Sequence, residues 1–449
     1  MWELKVSGGR LVVPGQGMIR ADVAVRDGRI AALGDDLGPA REEVDASGQV
    51  VFPGLVDPHI HLGNQHPFAS EAETETRAAL AGGVTTVGVF LRSLEPYSPA
   101  LPALIAEYEN RSCADAFFHL QVFTDQQLAD VAACARLGIL SFKFYLYGLP
   151  GVIPAVDDGF LLAGFRAVAG LGAKAVACVH AENEAIVVRA TEEVRRSRPE
   201  GNLADWADTH PDIAEAEAVH RAAFLASQAG CRLYIVHLSS RAGLEAAREE
   251  RADRRKLHVE TTSPYLSLTK HDPNGLLAKM SPPVRAQEDV DALWDGLRAG
   301  IIDCVGTDNT SRDRATKNPA GGLWGARPGY PVLGTHLAAL LHEGYHRRGV
   351  PLEILAARAC AAPARVFGLY PQKGTLAVGS DADLAVIDLD LEREVRPASL
   401  HSFSDFSPFE GRTLKGWATA VIKGGRLAYR DGEVLAAPGT GRYLARHAD

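Results

Sequence analysis

Apolar positions follow two different rhythms along this chain. Over roughly the first fifty residues they alternate with polar ones in short stretches, LKVSGGRLVVPG and IRADVAVRDGRIAALG, broken by Gly and Pro. A period of two is that of half-buried strands, and the Asp27-Gly28 pair is a hairpin signal. The last eighty residues repeat the pattern in GTLAVGSDADLAVIDL and WATAVIKGGRLAYRDGEV.

Between these ends, short β-branched or aromatic runs alternate with Ala-rich helical patterns. Eight such runs occur from about Val50 to Asn309: VFPGLVDPHIHL, TTVGVF, FFHLQVF, SFKFYLY, AVACVHAE, LYIVHLSS, LHVETT and DCVGTDN. Helices between them include ETETRAALAGG, TDQQLADVAACARLG, DIAEAEAVHRAAFLASQAG and QEDVDALWDGLRAG, each ending at or near Gly, a common helix stop. Repeated βα units predict a parallel sheet, and eight of them close most naturally into a TIM-like (β/α)8 barrel. Neither β-rich end has enough strands for a core of its own, so the two are expected to meet in one small β-sandwich. The predicted organisation is α/β, with residues 1–52 and 369–449 as the two parts of the sandwich and 53–368 as the barrel.

Composition narrows the partners. The chain has 449 residues, which allows a large core, and its 46% hydrophobic and 23% charged residues are ordinary globular values. No stretch of about 18 uninterrupted apolar residues offers a membrane span. The start, MWELKVSGGRLVVPG, lacks a signal or transit pattern, which predicts a cytoplasmic protein. Six cysteines are scattered with no Cys-x-x-Cys, arguing against a disulfide framework or a thiolate zinc site. Net charge is −9, and basic residues gather only in short helical patches such as Arg251 to Lys256, so there is no footprint for nucleic acid. A small-molecule partner is the default.

Candidate chemistry begins at His59 and His61, at the end of the first run. Residues i and i+2 of a strand point to one face, so both imidazoles can reach one metal ion. Barrel chemistry gathers at the C-terminal strand ends, and polar residues recur there. Lys143 lies on the fourth run, His180 on the fifth, His237 on the sixth and Asp308 on the eighth. Taken singly, each histidine could be a core or rim residue and Asp308 a helix N-cap. Their joint placement points to a metal site.

At these residues the chain resembles the cyclic amidohydrolases of the amidohydrolase superfamily, meaning hydantoinase, dihydropyrimidinase, allantoinase and dihydroorotase. The matching segments run through almost the whole chain: FPGLVDPHIHL, GGVTTV, SFKFYLY, VHAEN, YIVHLSS, ETTSPYLSLT, KMSPPVR, GTDN, GTLAVGSDADLAVIDLD and FSPFEG. The resemblance implies two zinc ions. His59, His61 and Asp308 would hold one, His180 and His237 the other. Lys143, N-carboxylated by carbon dioxide to an anionic carbamate, would bridge them. A hydroxide between the ions would attack a ring amide, with Asp308 as general base and then acid.

Substrate contacts depart from the family pattern. Hydantoinases and dihydropyrimidinases place an oxyanion-donating tyrosine five residues after the bridging lysine, where this chain has Gly148. Either a one-residue deletion has moved the tyrosine or the donor differs, and Tyr147 is the choice. Asn309 follows Asp308 where much of the family has histidine, and it cannot carry a proton. Ser281 matches a position that contacts the substrate amide, and Asn318 another, although both could equally cap loops. Dihydroorotases carry an arginine two residues after the second histidine; here Gly63 stands there, favouring a neutral cyclic ureide or imide.

The resulting expectation is a binuclear zinc hydrolase that opens a hydantoin, dihydropyrimidine or related ureide. Allantoin and cyclic imides are alternative substrates. A non-catalytic, dihydropyrimidinase-like assembly protein is the alternative of another class, and it predicts missing ligands. The family commonly forms dimers or tetramers, so a homo-oligomer is expected.

Overall fold

A computed structural model describes residues 1–149, 151–253 and 256–447. Strands stand where the eight apolar runs predict them: Leu55–His61, Val84–Leu91, Asp115–Gln121, Ser141–Tyr145, Val176–His180, Leu233–Ile235, Leu257–Thr262 and Cys304–Gly306. Each pairs in parallel with its neighbour in chain order. Just beyond the eighth strand, Asn309 and Thr310 pair with Ile60 and His61 of the first. One run therefore supplies both edges of the sheet, and the sheet closes on itself. Every residue of Val84–Leu91 is buried, as expected of a strand covered on both faces.

The predicted helices pack around the barrel as Phe68–Ala81, Asp125–Arg136, Asp212–Ala229 and Gln287–Ala299. Thr124 caps the second by accepting from Gln127 N–H. Gly230 and Gly300, both left-handed, end the last two.

The first run divides in two. Val50–Pro53 belongs to the sandwich and pairs antiparallel with Leu384–Ile387, whereas Leu55–His61 enters the barrel. Gly54 is the joint: a Cβ there would lie 2.3 Å from Thr85 Oγ1, so only glycine lets the chain pass. The sandwich consists of a four-stranded sheet from the N-terminal end and a seven-stranded sheet drawn from both ends. Leu4, Val6, Val23 and Val25 of one sheet share a core with Val51, Leu384, Val386 and Ile422 of the other. The Asp27-Gly28 hairpin is present, with both residues at positive φ.

Beyond the sandwich the chain returns to the barrel. Tyr443 bridges to Ala116, and Arg446 donates to Phe118 O on the third strand. At this end Lys373 Nζ lies 2.6 Å from both Asp115 and Asp383 and 2.9 Å from Asp381, all buried. The three carboxylates could by themselves hold a cation. The ammonium already sits among them, so the cluster is a tie between barrel and sandwich.

All six cysteines are unpaired and buried. No helix among the described residues is long and apolar enough to cross a membrane. Within the basic patch from Arg251 to Lys256, Arg254 and Arg255 lie outside the described residues.

Candidate active site

Barrel closure brings six of the residues read from the sequence to one rim. His59, two residues from the end of its strand, has Nε2 3.2 Å from Asp308 Oδ1, and Nε2 of His61, which ends the strand, lies at the same distance from that oxygen. Lys143 Nζ is 3.0 Å from His59 Nε2, and His180 Nδ1 is 3.0 Å from His237 Nε2. The rings of His59 and His237 stack with centroids 5.4 Å apart, joining the two halves of the cluster. His237 and Asp308 have φ of 40° and 52°, which residues other than glycine seldom adopt. Left-handed backbone at two site residues is local strain that the surrounding barrel sustains.

Behind these residues stand buried carboxylates that the sequence reading did not assign. Glu260 meets His59 Nδ1 at 2.8 Å and accepts from His237 N–H and Tyr234 O–H. Glu182 meets His180 Nε2 at 2.7 Å and His210 Nδ1 at 2.8 Å. The signal was present in both cases: Glu260 is a charged residue inside the strand LHVETT, and Glu182 lies two residues after His180.

Burial dominates the electrostatics. It holds His59 and His237 well below the ordinary histidine range, helped by Lys143 for the first and His180 for the second, and it lowers His61 as well. It brings Lys143 down to about 8, towards the neutral amine, and lifts Glu260 to about 8. Burial alone would lift Asp308, but His59 and His61 beside it hold its carboxyl below the usual value. Glu182 is likewise opposed by burial and held low by His210 and His180.

The donor set suits a divalent ion. Donor atoms of His59, His61 and Asp308 lie within 4.8 Å of one another. Nitrogen and carboxylate oxygen are the ligands of catalytic zinc sites. A carboxylate on the far nitrogen of His59 and of His180 fixes the near nitrogen inward, the usual support of a metal-binding histidine.

The cluster opens into a cleft of about 620 Å³, lined by His61, Lys143, His180, His237 and Asp308 at its floor. Tyr145 and Tyr147 both line it; Tyr145 stacks on His180 with centroids 5.5 Å apart, and Tyr147 lies 6.1 Å from the same ring. Ser281 also lines the cleft, and its Oγ is buried without a protein partner.

The two asparagines stand elsewhere. Asn309 is fully buried and its amide is saturated: it donates to Glu75 and Ser311 and accepts from Val332 and Leu333 N–H. Asn318 ends the short helix Arg314–Lys317 in a left-handed conformation and donates to Gly325 O, exposed and outside the cleft lining. Both side chains thus bond protein groups, and neither lines the cleft.

A closed parallel barrel with this rim places the chain among barrel enzymes. It belongs to the amidohydrolase family, whose model matches residues 50–428. An allantoinase of Solibacter usitatus is 37% identical over 98% of this chain and 96% of the relative. An L-hydantoinase of Paenarthrobacter aurescens is 32% identical over 99% and 98%. Among solved structures, the L-hydantoinase (dihydropyrimidinase) from Arthrobacter aurescens superposes with a TM-score of 0.92 at 31% identity, covering 99% of this chain and 100% of that one.

Proposed function

We propose that the chain hydrolyses a cyclic amide, a hydantoin, dihydropyrimidine or related ureide such as allantoin, with two divalent ions, zinc by resemblance, at the rim. The observation that carries this reading is the meeting of all six candidate ligands at one rim, five of them lining the floor of the cleft and His59 buried against Lys143 and Asp308 just behind it. His59, His61 and Asp308 would hold one ion, His180 and His237 the other, with Lys143 between. When bound, the ions would lower the pKa of water and polarise the ring carbonyl.

Each protein group then has a task at a stated atom. Glu260 and Glu182 hold His59 and His180 by their outer nitrogens. The Lys143 amine would form an N–C bond to carbon dioxide and release a proton, leaving an anionic carbamate in place of a cation. Asp308 Oδ1, ionised beside two imidazoles, would take a proton from the attacking water and return it to the leaving ring nitrogen. Tyr147 would donate to the carbonyl oxygen as negative charge develops there, and Ser281 Oγ would bond the ring amide.

The non-catalytic reading requires a missing ligand, and none of the six is missing. Metal analysis of the purified protein together with turnover of hydantoin, dihydrouracil, allantoin and succinimide tests the proposal. Bound divalent metal and ring opening of at least one compound are expected; metal-free protein after expression in zinc-supplemented medium, or no turnover of any of them, would overturn it.

A further inference from the structure

Cations line the cleft in excess, and they divide into two groups. Lys279 Nζ donates to Leu323 O and Ala326 O at 2.7 Å and lies 4.0 Å from the Trp206 ring, while Arg195 stacks on Trp324. These two are occupied. Arg92, Arg312 and Arg327 are not: among the described residues no carboxylate pairs with any of them, and Arg312 bonds protein only through Nε, to Pro328 O. Asp308 is the sole acidic residue among the cleft's lining.

The chain brings these three arginines from separate elements to one wall. Arg92 directly follows the second strand, Arg312 lies four residues after Asp308, and Arg327 stands on the loop that continues from it. The second and eighth strands flank the first; Arg92 is near enough to act on His61, Arg92 and Arg327 both act on Arg312, and all three line the cleft. Burial, with the like charges of Arg327 and Arg92, holds the Arg312 guanidinium below its ordinary range. Glu71 and Asp313 are the nearest acids, but both are committed. Glu71 accepts four backbone N–H groups from Gly63 to His66, and Asp313 accepts from Thr316 N–H and the Gln65 amide. Three unpaired guanidiniums on a partly buried wall repel one another, and an anion relieves that repulsion.

We propose that Arg92, Arg312 and Arg327 select a substrate whose ring carries a carboxylate on a short substituent. The inference rests on the ring-opening reading for the position of the ring itself. A cleft of about 620 Å³ falls within the range that holds a drug-sized ligand, leaving room beyond a five- or six-membered ring. Guanidinium forks match a carboxylate by paired hydrogen bonds, which an amide of the same shape cannot reproduce. The wall thus supplies, from the second and eighth strands, the charge that is lacking at Gly63.

An isosteric pair reads this directly: 5-carboxymethylhydantoin and 5-carbamoylmethylhydantoin. The ratio of their kcat/KM values is expected to favour the carboxylate by about tenfold or more. Arg312→Gln, Arg92→Gln and Arg327→Gln should each pull that ratio towards one, and Arg92→Lys should restore part of it. A wild-type ratio near one, or a ratio unchanged in all three glutamine variants, would overturn the proposal. Turnover of neither compound would count against ring opening instead. The same contrast is then read by calorimetry with N-carbamoyl-aspartate and N-carbamoyl-asparagine, where equal affinities would overturn the selection of a carboxylate.

Discussion

Lys143 Nζ and His59 Nε2 lie 3.0 Å apart on strands separated by two others, and both side chains are buried. Burial works against a charged ammonium there and brings Lys143 down to about 8, although Asp308 and Glu260 oppose the shift. A neutral amine is the form that would react with carbon dioxide to give the proposed carbamate. Lys143→Ala is expected to lower bound metal and reduce kcat/KM by at least about 100-fold, with partial rescue by acetate or propionate, which return an anionic oxygen to the gap. Metal content by mass spectrometry and turnover with and without added acid check it; full activity in the variant would remove the carbamate from the reading.

Tyr145 and Tyr147 compete for the role of oxyanion donor. Tyr145 is stacked on His180 and on Phe123, a packing arrangement, whereas Tyr147 meets His180 and His210 at an angle. Tyr147→Phe should lower kcat by about 10²–10³ with little change in KM, the loss typical of one oxyanion donor. Tyr145→Phe should leave kcat within a few-fold of wild type. The opposite pattern would exchange the two residues.

Lys373 neutralises three buried carboxylates at the far end of the barrel. Replacing it with methionine leaves Asp115, Asp381 and Asp383 facing one another, although Asp115 keeps Lys423 and Arg442. Removing one partner of a buried ion cluster costs about 3–5 kcal/mol. Urea denaturation of Lys373→Met should show a loss of that size, with the rim chemistry intact in the fraction that remains folded.

Stability should also carry the signature of His336. This residue is fully buried against Ser263 Oγ, and burial depresses it from 6.5 to about 3. A depressed histidine contributes stability that is fully present above pH 6.5 and is lost progressively as pH falls towards 3. Between pH 6.5 and 5 the loss from this group is on the order of 2 kcal/mol. His336→Gln should therefore show a shallower fall of stability over that interval than wild type. Identical slopes would show that His336 takes up its proton as readily in the folded chain as in the unfolded one.

The barrel was legible because its strands are buried on both faces and read as continuous apolar runs, so a polar residue within one, such as Lys143, His180 or His237, stands out. Gly54 was not legible as a joint: VFPGLVDPHIHL reads as one run, and only its close approach to Thr85 shows why it divides. Asn309 follows Asp308 in sequence, but Asp308 holds a left-handed turn just before the short strand Asn309–Thr310, and the Asn309 amide bonds Glu75 of the helix Phe68–Ala81 outside the barrel. The cationic wall is not legible in the sequence near His61, since the loop after it carries no basic side chain before His66. Arg92 and Arg312 arrive from other strands, and adjacency of that kind exists only once the sheet has closed.

Gly54 has a consequence for the order of assembly. The four residues before it are held by Leu384–Ile387, which leave the ribosome more than three hundred residues after His59. The first barrel strand is therefore pinned at its base only when the chain is nearly finished, and its other edge waits for Thr310. Long-range pairings of this kind form late. During synthesis His59 and His61 would be present for most of elongation without the neighbours that orient them, so capture of the proposed metal ions would belong to the last stage of folding rather than to its nucleus.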